Sequence, residues 1–147
     1  MIDTNNIETA RKQIKFEKKP IIVKAKDNIF NRKMLEYGKF DILLSPEAGK
    51  DRKQQKDGLK QLDSGINHVL AKIACKNNIS IGIDFEELNS LDKKEKAIRL
   101  SRIKQNISVC RKAKTKIKAL NYKDKRDAFS LLLTLGASTA QAKEAIS

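Results

Sequence analysis

Apolar positions along this chain come in short blocks whose spacing alternates between two periods. Between residues 92 and 114, Leu100, Ile103, Ile107 and Cys110 recur at 3-4-3 spacing, which predicts a long helix with one buried stripe. Shorter helical patterns run over 6–18, with Asn5 or Asn6 as N-cap and Pro20 as the stop, and over 28–37, ended by Gly38. Others run over 66–76, with Leu70, Ile73 and Ala74 on one side, over 124–135 up to Gly136, and over Thr139 to Ile146. Between them lie four apolar runs: Ile21-Ile22-Val23, Phe40 to Leu44, Ile79 to Ile83, and Lys116 to Leu120. These predict strands near 21–25, 41–45, 79–84 and 117–121. Residues 46–62 are polar and carry no period, so a long mobile loop is expected there. The alternation of helix and strand argues for a single α/β domain over residues 1–147, a parallel sheet flanked by helices. Four strands do not close a barrel, which takes about eight units.

Charge narrows the picture. The chain has 147 residues, 34% of them charged, and a formal net charge of +14. An excess of one sign on that scale points to a polyanionic partner, nucleic acid before an anionic membrane. From Lys96 to Arg126 there are twelve Lys or Arg and a single acid, Asp124. Arg99 and Arg102, three apart, share a face of the long helix that is expected to point away from the apolar stripe. Arg111, Lys112, Lys114, Lys116 and Lys118 extend the positive surface into the next strand. The helix dipole accounts for a few cations near a C-terminus, but not for twelve. Cys75 and Cys110 sit in helical apolar patterns without zinc-like spacing and are expected to be reduced core residues. No apolar run is long enough to span a bilayer, and the first residues do not read as a signal peptide, so a cytoplasmic protein is expected.

Little in the sequence suggests catalysis. The one histidine, His68, does not make a catalytic zinc site, which usually takes two or three. No P-loop, dinucleotide fingerprint or nucleophile elbow is present. Asp84, Glu86 and Glu87 cluster at a strand end and could hold a metal; the plainer reading is a solvated strand-to-helix turn. The segment Asp63-Ser64-Gly65-Ile66-Asn67-His68 leads into a helix. Asp63, Ser64 or Asn67 can cap that helix, and its free N–H groups suit a phosphate. On spacing alone His68 is either a structural residue of the first turn or a hydrogen-bond donor to a bound nucleic acid.

The run from Asp63 to Lys72 resembles the signature of the ribonuclease P protein component 3 family of archaea and eukaryotes. The likeness continues through Lys76 to Ile83, then Arg99, Arg102, Asn106 and Cys110-Arg111-Lys112. It ends with Arg126-Asp127, Leu135-Gly136 and Gln141-Ala142-Lys143. It covers the chain from about residue 8 onward. The resemblance implies a TIM-barrel-like fold related to metal-dependent phosphoesterases, without their metal ligands. It implies pairing with protein component 2 and other ribonuclease P proteins, and binding to the catalytic domain of the ribonuclease P RNA. That RNA removes the 5′ leader of precursor tRNA using magnesium; the protein itself holds no cofactor. His68 and Arg126 match family residues associated with RNA. The expected RNA-contacting set is His68, Lys72, Arg99, Arg102, Arg111, Lys112 and Arg126. Where members carry a basic pair, this chain has Gln61-Leu62, and loop lysines such as Lys53 and Lys60 are expected to replace that charge. Compared with the family, the N-terminal strands are expected to be missing, which leaves a shortened or incomplete barrel. The alternatives are a metal-dependent phosphoesterase, which needs more histidines, and a generic basic RNA-binding or ribosomal module, which leaves the ordered match unexplained.

Overall fold

In the computed structural model, which describes all 147 residues, four short strands run parallel in the order β1-β2-β3-β4. They are β1 (Ile22–Lys24), β2 (Ile42–Leu44), β3 (Ser80–Asp84) and β4 (Ile117–Leu120). Seven helices connect or follow them: α1 (Ile7–Ile14), α2 (Asn28–Tyr37), α3 (His68–Lys76), α4 (Phe85–Ser90), α5 (Lys93–Ala113), α6 (Lys125–Thr134) and α7 (Thr139–Ala145). Strand order that follows chain order, with every crossover stepping the same way, puts the helices on one face of the sheet. The result is a parallel sheet with outer helices, as the alternation of periods implies, and it forms the partial barrel wall that the resemblance implies.

Register shows which residues face the helices. Val23 pairs with Leu43, Leu43 with Ile81, and Ile81 with Ile117. These four, with Ile83 and Ala119, join Met34, Leu70, Ile103, Ile107 and Leu132 from the helices in one buried core. Side chains alternate along a strand, so Ile42, Leu44, Gly82 and Lys118 occupy the opposite face. A Cβ on Gly82 would lie 2.7 Å from Cγ2 of Ile42, so only glycine lets the β2 side chains close over β3.

Four details differ from the pattern-based expectation. Ile2, 1% exposed, forms a parallel bridge to Val23, so the chain start lines the outer side of β1. Helix α1 stops at Ile14, beyond which Phe16 finds nothing to bury against and is 88% exposed. The long helix stands where expected, as α5, but a short helix not expected, α4, precedes it: Asp84 caps α4 and Asp92 caps α5, each accepting from a backbone N–H three residues on. Residues 46–62 form two 3-10 turns, Pro46–Ala48 and Arg52–Gln54, and the remainder is tied down by side chains of α5 rather than left free. Both cysteines are free, but only Cys110 is buried, and burial pushes its thiol up to about 12; Cys75 is exposed, its Sγ donating to the Lys114 carbonyl.

Candidate nucleic-acid interface

In a parallel sheet with helical crossovers, the helix starts and the loops after the strands gather at one rim. Here that rim holds the loop from Ser45 to Gly65, the starts of α2, α3 and α4, and the start of α6. The loop leaves β2 with Ser45 at φ 54 and returns past its own beginning at Gly65, φ 83. A Cβ on Gly65 would sit 1.9 Å from the Pro46 carbonyl oxygen, so this crossing requires glycine. The sequence then enters α3. Of the three possible caps, Asn67 takes the role, its Oδ1 accepting from Leu70 N at 2.9 Å. His68 is therefore the first helical residue, and Lys72 lies one turn on along the same face; both are exposed.

Loop and helix start enclose a cavity of about 430 Å³, lined among others by Lys50, Lys56, Asp63, Ser64, Gly65 and Asn67. Asp63 accepts from Lys50 Nζ at 2.8 Å and from Lys56 N at 3.1 Å. Burial works against its ionisation, but these hydrogen bonds outweigh it and hold the carboxyl below its ordinary value. Lys53, Lys56 and Lys60 are exposed along the same loop. Arg126 is exposed in the first turn of α6, where the chain leaves β4.

Arg99 and Arg102 do not extend this surface. They are 8% and 3% exposed, and the expectation that they face solvent is corrected. Arg99 donates through Nε to Glu47 at 3.3 Å and through Nη1 to Glu87 at 2.9 Å. Arg102 meets Asp57 end-on, with Nη1 at 2.7 Å and Nη2 at 2.9 Å, and Nη1 also reaches the Asp63 carbonyl. Arg102 holds the Asp57 carboxyl at about 2, helped by Asp63 N. The buried Glu47 is raised by loss of solvent, against the opposing pull of Arg99. The reason lies outside the helix: the 46–65 loop folds across α5 and brings carboxylates to a face that periodicity within α5 reads as solvent.

Arg111 and Lys112 are exposed but sit at the other end of α5. Nine residues separate Arg102 from Arg111, roughly 14 Å of helix axis. The structure therefore gathers Lys53, Lys60, Asp63, Ser64, Gly65, Asn67 and His68 on one loop and helix start, with Lys72 one turn along α3; topology puts Arg126, at the start of α6, on the same side of the sheet, and Arg111 and Lys112 lie apart at the end of α5. Ser64 is buried: its Oγ donates to the Ile66 carbonyl and accepts from Gln105 at 2.9 Å. Among the acids of the 84–87 turn, Asp84 caps α4 and Glu87 pairs with Arg99. No group of three or more His, Cys, Asp or Glu side chains is placed to hold a metal. The sequence does not single out Glu47, Asp57 or Gln105, and Asn106 enters only through the family resemblance; the visible signal is the polar pair Gln105-Asn106 beside the apolar stripe of α5.

No family model matches the chain. Curated relatives do. Ribonuclease P protein component 3 of Methanococcus maripaludis strain C7 is 26% identical over 113 residues, 77% of this chain and 44% of that protein. The protein of the same name from Methanocaldococcus jannaschii is 33% identical over 82 residues, 56% of this chain and 31% of that one. The chain is similar to archaeal ribonuclease P protein component 3. It spans less than half the length of the component 3 proteins it matches. The likeness extends to the fold: a chain in the cryo-EM structure of archaeal ribonuclease P with mature tRNA superposes with a TM-score of 0.76 at 26% identity. That superposition covers 97% of this chain and 61% of the other. The structural likeness thus takes in almost the whole partial barrel, rim included. No helix of this chain is long and apolar enough to cross a membrane.

Proposed function

We propose that this chain is an RNA-binding protein subunit of ribonuclease P, the ribonucleoprotein that removes the 5′ leader from precursor tRNA. The observation that carries this reading is the likeness, in sequence and over almost the whole fold, to component 3 and to a chain of an archaeal ribonuclease P bound to tRNA. The net charge of +14 and the cluster of exposed cations at one rim support it. In this reading the chain is not catalytic by itself. Cleavage belongs to the RNA and its magnesium, and the protein neutralises phosphate repulsion where the RNA's catalytic domain packs. Component 2 and the other ribonuclease P proteins are its proposed protein partners. The proposed phosphate contacts are Lys53, Lys56, Lys60, Lys72 and Arg126, with His68 as a hydrogen-bond donor beside the helix start; Arg99 and Arg102 support the rim from below.

The test is affinity for archaeal ribonuclease P RNA, transcribed in vitro, measured at several salt concentrations. If about six phosphates are neutralised, affinity falls on the order of a thousandfold between about 50 and 200 mM salt. Replacing Lys60 or Arg126 by Ala flattens the log–log slope by roughly one unit each, while His68→Ala lowers affinity and leaves the slope in place. Binding that is insensitive to salt, or cleavage of precursor tRNA by the RNA-free protein, would overturn the reading.

A further inference from the structure

The loop that carries the rim lysines has no regular structure between Gln55 and Asn67. Its course is set by three side chains of α5 that share a face at positions i, i+3 and i+4: Arg102, Gln105 and Asn106. The amide of Gln105 pairs with Leu62 on both sides, accepting from its N at 2.8 Å and donating to its carbonyl at 2.8 Å. Asn106 donates to the Ser64 carbonyl at 3.0 Å. Arg102 donates to the Asp63 carbonyl at 2.7 Å and pairs end-on with Asp57, whose Oδ1 also accepts from Asp63 N at 2.8 Å. One carboxylate thus joins both limbs of the loop to the helix. Beyond it, Gly58 N donates to the Gln61 carbonyl at 2.7 Å and closes a tight tip that holds Lys60 outward.

We infer that Asp57 is a positioning residue for RNA binding: an acid on a polyanion-binding rim that strengthens binding by holding the lysine loop in shape. The inference rests on the RNA-binding reading above. Arg102 is 3% exposed and lies beneath the loop, so it meets no phosphate while the loop is in place; it acts through Asp57. The side chain of Asp57 is 40% exposed and stands one residue from Lys56.

That placement sets two effects of opposite sign against each other. If only the field matters, neutralising Asp57 makes the rim more positive and RNA binds more tightly. If geometry matters, losing the end-on pair frees the loop, and RNA must order it on binding at an entropic cost. Ordering a few long side chains and a short backbone stretch outweighs one exposed charge that salt already screens.

The experiment measures RNA affinity across salt for the parent chain, Asp57→Asn, Gln105→Leu and Lys60→Ala, with a thermal melt of each. Asp57→Asn is expected to bind RNA roughly fivefold more weakly at fixed salt, with an unchanged slope, because no phosphate contact is lost. Gln105→Leu changes no charge and is expected to act in the same direction. Lys60→Ala differs by flattening the slope. Equal or tighter binding by Asp57→Asn overturns the inference and leaves the RNA reading standing. Absence of salt-dependent binding by the parent overturns both.

Discussion

The middle and the C-terminal end of α5 carry cations of the same type to opposite fates. In the middle, Arg99 and Arg102 are buried, and each meets a carboxylate from the 46–65 loop. At the C-terminal end, Arg111, Lys112 and Lys114 are exposed; Arg111 reaches only the Gly136 carbonyl, at 3.3 Å. The first group holds a loop onto a helix, and the second completes a helix terminus and faces water. Counting basic residues along the sequence treats them as one surface. The structure separates a cationic framework from a cationic exterior.

The largest effect that tests this contrast is Arg99→Ala. Removing the guanidinium leaves Glu47, 3% exposed, without its partner. Breaking such a pair from one side costs about 3–5 kcal/mol, read as a lower urea midpoint at unchanged slope. A cost under about 1 kcal/mol would place Arg99 with the exterior cations.

Acid titration sharpens the contrast at the next level. The Asp57 carboxyl is held at about 2, below its ordinary value of 3.8. A lowered value means that the folded state binds the proton less readily than the unfolded chain. Its stabilisation is complete above about pH 4 and fades as pH falls toward about 2. Asp63 is lowered as well and adds the same sign, while Glu47, raised by burial, opposes it as pH rises above its ordinary 4.5. Asp57 is well exposed, so its share is about 1 kcal/mol or less after screening. Melting temperatures of the parent and Asp57→Asn should differ by a few degrees at pH 5 and converge near pH 2. A constant gap across that range would mean that the Arg102 pair is not its source.

The smallest effect belongs to the far end. Arg111→Ala and Lys112→Ala should each change stability by no more than about 0.5 kcal/mol in the same urea assay.

These contrasts also show what the residues revealed in order. The strands, their parallel arrangement and six of the seven helix positions follow from spacing, because burial on one face imposes the period directly. The α3 start was legible too, since Asn67 caps from within its own segment. The burial of Arg99 and Arg102 was not. It depends on Glu47 and Asp57, 52 and 45 residues earlier, folding across the helix. The short helix α4 was not legible either: six residues are too few to show a period, and Asp84 as its cap reads equally well as part of a solvated turn.

The strand order has a consequence for how the chain reaches this state. Every hydrogen-bonded strand pair joins consecutive strands, so the sheet grows by contacts of low sequence separation. Each β-helix unit can dock on the one already formed, and no early segment has to wait for a distant one. The exception is the 46–65 loop, whose anchors on α5 close only after α3, β3 and α4 have been made. In amide exchange this gives a graded molecule: β2 and β3, covered on both edges, open last, and the loop opens while the sheet stays intact. The surface proposed to meet RNA is thus the last part to form and the first to loosen.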